Sequence, residues 1–137
     1  MNSATTFGGT TLVSGGTLVG GVSGALASTS GITVNGAVLT AIDYNSAATL
    51  TVNASGKATI SGTGLSLGAV SNANTTSDSI LFSGASGTVT LAGLGGAGST
   101  RFASNATITS GGISLGMVNV AGLPTSDLSG GAVTAGG

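Results

Sequence analysis

Ala58-Thr59-Ile60-Ser61-Gly62-Thr63-Gly64-Leu65-Ser66-Leu67-Gly68-Ala69-Val70 returns one period further on as Ala106-Thr107-Ile108-Thr109-Ser110-Gly111-Gly112-Ile113-Ser114-Leu115-Gly116-Met117-Val118. The same skeleton stands one period before it as Thr11-Leu12, Gly16, Val19-Gly20 and Val22. A second block keeps the interval, with Ile32, Val34 and Gly36 answered by Ile80, Phe82 and Gly84, and Leu128 answering Ile80 in turn. A fixed period of this size marks a repetitive architecture whose units bury their apolar faces against one another. The pattern predicts an all-β, repetitive β-solenoid-like fold with a 48-residue pseudo-repeat, in which each period spans two coils of roughly 24 residues. A β-sandwich or barrel is the alternative, because short strands every 8–12 residues fit those folds too.

Local texture agrees with strands. β-Branched runs such as Ile32-Thr33-Val34, Leu50-Thr51-Val52 and Thr88-Val89-Thr90-Leu91 are punctuated by Ser14-Gly15, Asn35-Gly36, Ser55-Gly56, Ser61-Gly62 and Ser110-Gly111. Such residues suit a pleated, half-buried surface, and glycine accepts the positive φ of tight turns. Val38, Leu39 and Ile42 have helix-like spacing, but the stretch is too short to nucleate a helix. The repeat divides the chain into an N-terminal arm, 1–10, a repetitive domain, 11–122, with copies near 11–58, 59–106 and 107–122, and a C-terminal tail, 123–137. Leu123-Pro124-Thr125, with the sole proline, marks the exit from the repeat.

Composition narrows function. Charged residues are 4% of the 137, against about 25% in an ordinary domain. Lys57 and Arg101 are the only bases, Asp43, Asp78 and Asp127 the only acids, and there is no His, Glu or Cys. Disorder normally accompanies low hydrophobicity and high net charge; here hydrophobic residues are 40% and net charge is −1, which predicts order. Two bases and no aromatic platform argue against nucleic acid as a partner. No apolar run reaches the length of a membrane span. Thr17 to Ala27 ends in Ala25-Leu26-Ala27 like a signal-cleavage site, but glycines interrupt it and no base precedes it.

The chemical motifs read as structure. Gly93-Leu94-Gly95-Gly96-Ala97-Gly98 matches a dinucleotide fingerprint, yet a strand-like run follows where a helix is required, so a flexible turn is expected. Without His, Cys or Glu, catalytic triads, thiol nucleophiles and the usual general acids are excluded, and a Ser-Lys dyad at Lys57 or an Asp pair is the remaining formal option. Lys57 reads as a solvated turn lysine, and Asp43 and Asp78 as turn formers. The expectation is no catalytic, cofactor-binding or metal site, no enzyme activity, no cofactor and no small-molecule substrate. The sequons at Asn53, Asn74 and Asn105 are what chance supplies in a Ser/Thr-rich chain. Thr49-Leu50-Thr51, Thr88-Val89-Thr90 and Thr107-Ile108-Thr109 resemble the threonine ranks of ice-binding β-solenoids, but they do not share one slot of the 48-residue period and are not expected to line up as a single array.

Two wider resemblances exist. Gly8-Gly9-Thr10-Thr11-Leu12-Val13-Ser14-Gly15-Gly16-Thr17-Leu18 resembles the β-helix repeat of autotransporter passenger domains. That implies a bacterial surface adhesin or extracellular filament. In its low charge and its Ala, Gly, Ser and Thr content the whole chain is similar to minor structural proteins of tailed bacteriophages. This implies a capsid decoration, cement or fibre subunit on the virion surface. Its expected partners are copies of itself, in a homo-oligomer such as a trimer, and a coat protein.

Overall fold

Alternation of small aliphatics with Thr and Ser drives about half of the chain into strands, because each strand hides one face and wets the other. The structure, a computed structural model, describes residues 2–3, 6, 8–83, 87–102, 106–110, 113–119, 127–130 and 133–135. Seven strands form the first half: β1 Thr10–Val13, β2 Thr17–Gly20, β3 Gly31–Val34, β4 Val38–Ile42, β5 Thr49–Val52, β6 Lys57–Ser61 and β7 Ser66–Asn72. Six follow: β8 Ile80–Phe82, β9 Gly87–Phe102, β10 Ala106–Ser110, β11 Ile113–Asn119, β12 Asp127–Gly130 and β13 Val133–Ala135. Every pairing among them is parallel. The chain is an all-β solenoid, making about four turns between Thr10 and Phe102. The stretch from Val38 to Ile42 is strand β4, as its alternating burial requires.

Three ladders run along it. The first stacks β1, β3, β5, β7, β9, β11 and β13. The second stacks β2, β4, β6, β8 and the ends of β9 and β11. The third joins β7, β9, β10 and β12 through residues Ser66, Thr90, Thr109 and Ser129. β7 and β9 are long because they pass from one ladder into the next without a break in hydrogen bonding. β12 and β13 lie within 123–137, the stretch that reads as a tail, and carry the ladders on; Leu123-Pro124-Thr125 lies outside the described residues.

The coil is shorter than half the sequence period. Thr11 pairs with Ile32, Ile32 with Leu50, Leu50 with Val70 and Val70 with Leu94, in uneven steps of roughly 20 residues. Two coils on from Thr11 the chain has reached Leu50, and Thr59 lies beyond it on β6, in the second ladder. Two coils on from Thr59 it has reached Arg101, and Thr107 lies beyond it on β10, in the third. Ile32, Ile80 and Leu128 climb in the same way through the first, second and third ladders. The repeating unit is therefore strand, corner and strand, placed on a new face at each copy. Its fixed element is the corner: Gly16 and Gly64 have φ of 68° and 65°, a conformation L side chains rarely adopt.

Inside, like residues stack on like. Ile32, Leu50, Val70 and Leu94 fill one column of the first ladder, and Leu39, Ala58 and Ile80 one of the second. Ile60, Phe82 and Phe102 continue a third column, the two rings stacked at 4.7 Å between centroids. Each Leu, Ile, Val or Phe among them, fully buried, contributes about 1.5–3 kcal/mol by its transfer from water, and Ala58 less.

Candidate functional site

The few charged side chains are scattered along the solenoid, each in a structural setting. Lys57 opens β6 with its side chain exposed, and its backbone N–H donates to the Ala37 carbonyl at 2.9 Å. Asp43 and Asp78 have φ of 48° and 54°, so both occupy the left-handed turn conformation that short polar side chains tolerate. Asp43 Oδ1 accepts the Thr63 N–H at 3.2 Å, and the neighbouring Asn45 Oδ1 accepts that of Ser66 at 2.7 Å, pinning one corner to the next coil. Arg101 Nη1 donates to Asp78 Oδ2 at 3.0 Å across adjacent coils. The pair is end-on and about a third exposed, so its net worth is about 0–1 kcal/mol. Asp127 falls in β12. Among the described residues no three acidic, His or Cys side chains gather as a metal site would require.

The glycine run has a different cause from the expected flexible turn. Gly93 to Gly98 lie inside β9, and the chain continues as strand through Phe102. A helix N-terminus, which makes this motif bind phosphate, does not follow. Gly96 and Gly98 are required because the coil crosses the Asn72 corner of the preceding turn. A Cβ on Gly96 would overlap the Asn72 backbone, and one on Gly98 would overlap the Asn72 side chain.

Asn72 is the centre of the most polar part of the interior. It is fully buried, at the position where Val13, Val34 and Val52 stand in the same column. Its Nδ2 lies within hydrogen-bond distance of the Ser99 carbonyl at 2.9 Å, Ser79 Oγ at 3.1 Å and Thr100 Oγ1 at 3.2 Å. Its Oδ1 accepts the Asn74 N–H at 3.0 Å. Asn74 Nδ2 donates to the Gly56 carbonyl, and Ser79 Oγ to the Asn74 carbonyl at 2.6 Å. The network crosses three successive coils with its central groups satisfied, which is the signature of a clamp rather than of a reactive site. Sequence reading missed it: Asn74 registers there only as a sequon, yet it is 1% exposed.

The threonine triplets divide between faces. Thr49-Leu50-Thr51 lies on the first ladder, while Thr88-Val89-Thr90 and Thr107-Ile108-Thr109 are paired residue for residue on the third. The three therefore do not form a single array, although two of them align, because position in the 48-residue period does not determine position in the coil. On the first ladder Thr33, Thr51 and Ser71 form a further register column.

Three buried polar atoms are left unmatched among the described residues: Asp78 Oδ1 and Arg101 Nε, on either side of their ion pair, and the Tyr44 hydroxyl. Tyr44 is 2% exposed and its hydroxyl has no hydrogen-bond partner of acceptable geometry. The crevice beside it, between Gly20–Ala27 and Ala41–Asn45, leaves no room for a water molecule. Burial pushes its pKa above the ordinary 10.0, the Ser46 hydroxyl offsetting part of the rise. The stability tied to that shift is fully present below the unfolded value and is lost as pH climbs through the folded one. Tyr44→Phe should therefore match or exceed the parent by up to about 1 kcal/mol at neutral pH, and should lessen the alkaline loss of stability. Thermal unfolding across pH checks both. Compared with known protein families, with curated proteins and with solved structures, the chain matches none.

Proposed function

We propose that this chain is a non-catalytic structural subunit, held in a larger assembly on a virion surface by contact with its own copies and with a coat protein. The observation that carries the reading is the near absence of charge from its outer faces. The charged residues with described side chains are Asp43, Lys57, Asp78 and Arg101, and two of these neutralise each other. A neutral surface gives a free particle little protection against association, and suits one that is covered. Contacts would rest on apolar area, at about 25 cal/mol per Å², and on backbone hydrogen bonds. Sedimentation and negative-stain microscopy at rising concentration test this. Discrete particles or rods are expected, with an association constant that changes by less than about threefold between low and high salt. Persistent monomers, or association abolished by salt, would overturn it.

A second reading draws on the hydroxyl columns. Hydrogen-bonded water oxygens about 2.8 Å apart have second neighbours at about 4.6 Å by tetrahedral geometry. Paired strands repeat at roughly 4.8 Å, so ranks such as Thr33, Thr51 and Ser71 suit an ice-like layer. A monomer that arrests ice growth would favour this reading over the first.

A further inference from the structure

We propose that the outer edge of β1 is the docking site for the far end of a second copy of this chain, so that copies stack end to end. The inference rests on the structural reading above and adds the surface and the geometry.

β1 pairs with β3 on one side, and among the described residues no strand pairs with its other side. In a parallel ladder successive residues direct their N–H and C=O groups to alternate sides. The Val13 carbonyl accepts the Asn35 N–H at 2.8 Å, on the β3 side, which leaves the groups of Thr10 and Leu12 facing outward. They form an unused template for one more strand. The core is unfinished at the same end. Leu18 is only partly buried where the Leu39 beneath it is wholly buried, and half-buried Thr11 tops the column that Ile32 and Leu50 fill below it; Leu12, 66% exposed, stands on the outer face in line with Thr33. An open groove of about 340 Å³ runs along Thr11 to Leu18.

Sheet proteins guard such an edge with charge, proline or a bulge. β1 reads Thr-Thr-Leu-Val and has no charged residue or proline. At the other end of the same ladder β13 pairs only with β11 among the described residues. Every step from β1 to β13 is parallel, so β13 of one copy meets β1 of the next with the polarity of an ordinary coil-to-coil contact. The contact joins two different surfaces, so it propagates without closing. A second copy is the occupant because it alone extends the existing stack on the stack's own terms.

The test uses the full chain. Leu12→Pro removes an N–H that β3 does not use, which edge strands tolerate, and Leu12→Lys places a charge beside the groove. Parent and variants are compared by sedimentation velocity and negative-stain microscopy over rising concentration, with circular dichroism as the control for folding. The parent should form rods that lengthen with concentration. Each variant should keep the parent's spectrum and lose about tenfold or more in association constant. If Leu12→Pro fails to fold, Leu12→Lys carries the comparison. Variants that associate as the parent does would overturn end-to-end docking and leave the structural reading standing. A parent that stays monomeric at every concentration would overturn both.

Discussion

Gly68→Ala should cost about 3 kcal/mol or more, whereas Gly20→Ala, at the matching position of the first copy, should cost under about 1 kcal/mol. The difference lies in what a methyl group would meet. At Gly68 it would fall within the van der Waals shells of the Ala47 and Ala48 carbonyl oxygens, which belong to the backbone of the adjacent coil. Relief would require the coils to separate. That would break the bonds from the Gly68 N–H to the Ser46 carbonyl at 2.8 Å and from the Ser46 N–H to the Ser66 carbonyl at 3.0 Å. At Gly20 the nearest atom is Leu26 Cδ1 at 3.2 Å, the end of a side chain that can rotate. Chemical denaturation of the two variants gives the comparison directly. Equal costs would mean that the approach at Ala47 and Ala48 is looser than described.

Asn72→Val should also destabilise strongly, by about 3 kcal/mol or more, even though it restores the residue that the column calls for. Valine would match Val13, Val34 and Val52 in shape and would bury more apolar surface. It would also strip the Asn74 N–H of its acceptor and leave the Ser99 and Asn74 carbonyls to share the single Ser79 hydroxyl proton, among fully buried groups. Buried polar groups left without partners cost about 1–3 kcal/mol each, more than the gain in burial. A fall in Tm on the order of 10 °C is expected for a chain of this size. A neutral or stabilising result would show that the clamp contributes nothing net to stability.

The strands, the glycine corners and the repetitive architecture were legible in the sequence because each depends on local preference. Ile32-Thr33-Val34 and Leu50-Thr51-Val52 alternate as strands must, and they pair as neighbours. The coil length was not legible. Copies resemble one another because every face makes the same demands, aliphatic inward and glycine at the corner, so likeness reveals the unit and conceals which face it occupies. Corners absorb insertions as well, which lets successive coils differ in length: the one from Ile32 to Leu50 is shorter than the one from Val70 to Leu94. The exposure of Lys57 and the turn roles of Asp43 and Asp78 followed from residue type alone. The reason for Gly96 and Gly98 did not, since their neighbour Asn72 is distant in sequence and becomes adjacent only once the register is set.

The climb of the repeat from face to face makes chain length a matter of direction. Labels attached to Thr11, Thr59 and Thr107 would not lie in a row along the shaft but would wind round it, one per ladder. Adding one further copy of the repeat would carry the end of the chain forward and also swing its bearing by about a third of a revolution. Three copies would bring the bearing back to its start. The number of copies, rather than their sequence, thus governs toward which side of the shaft anything joined to it will point.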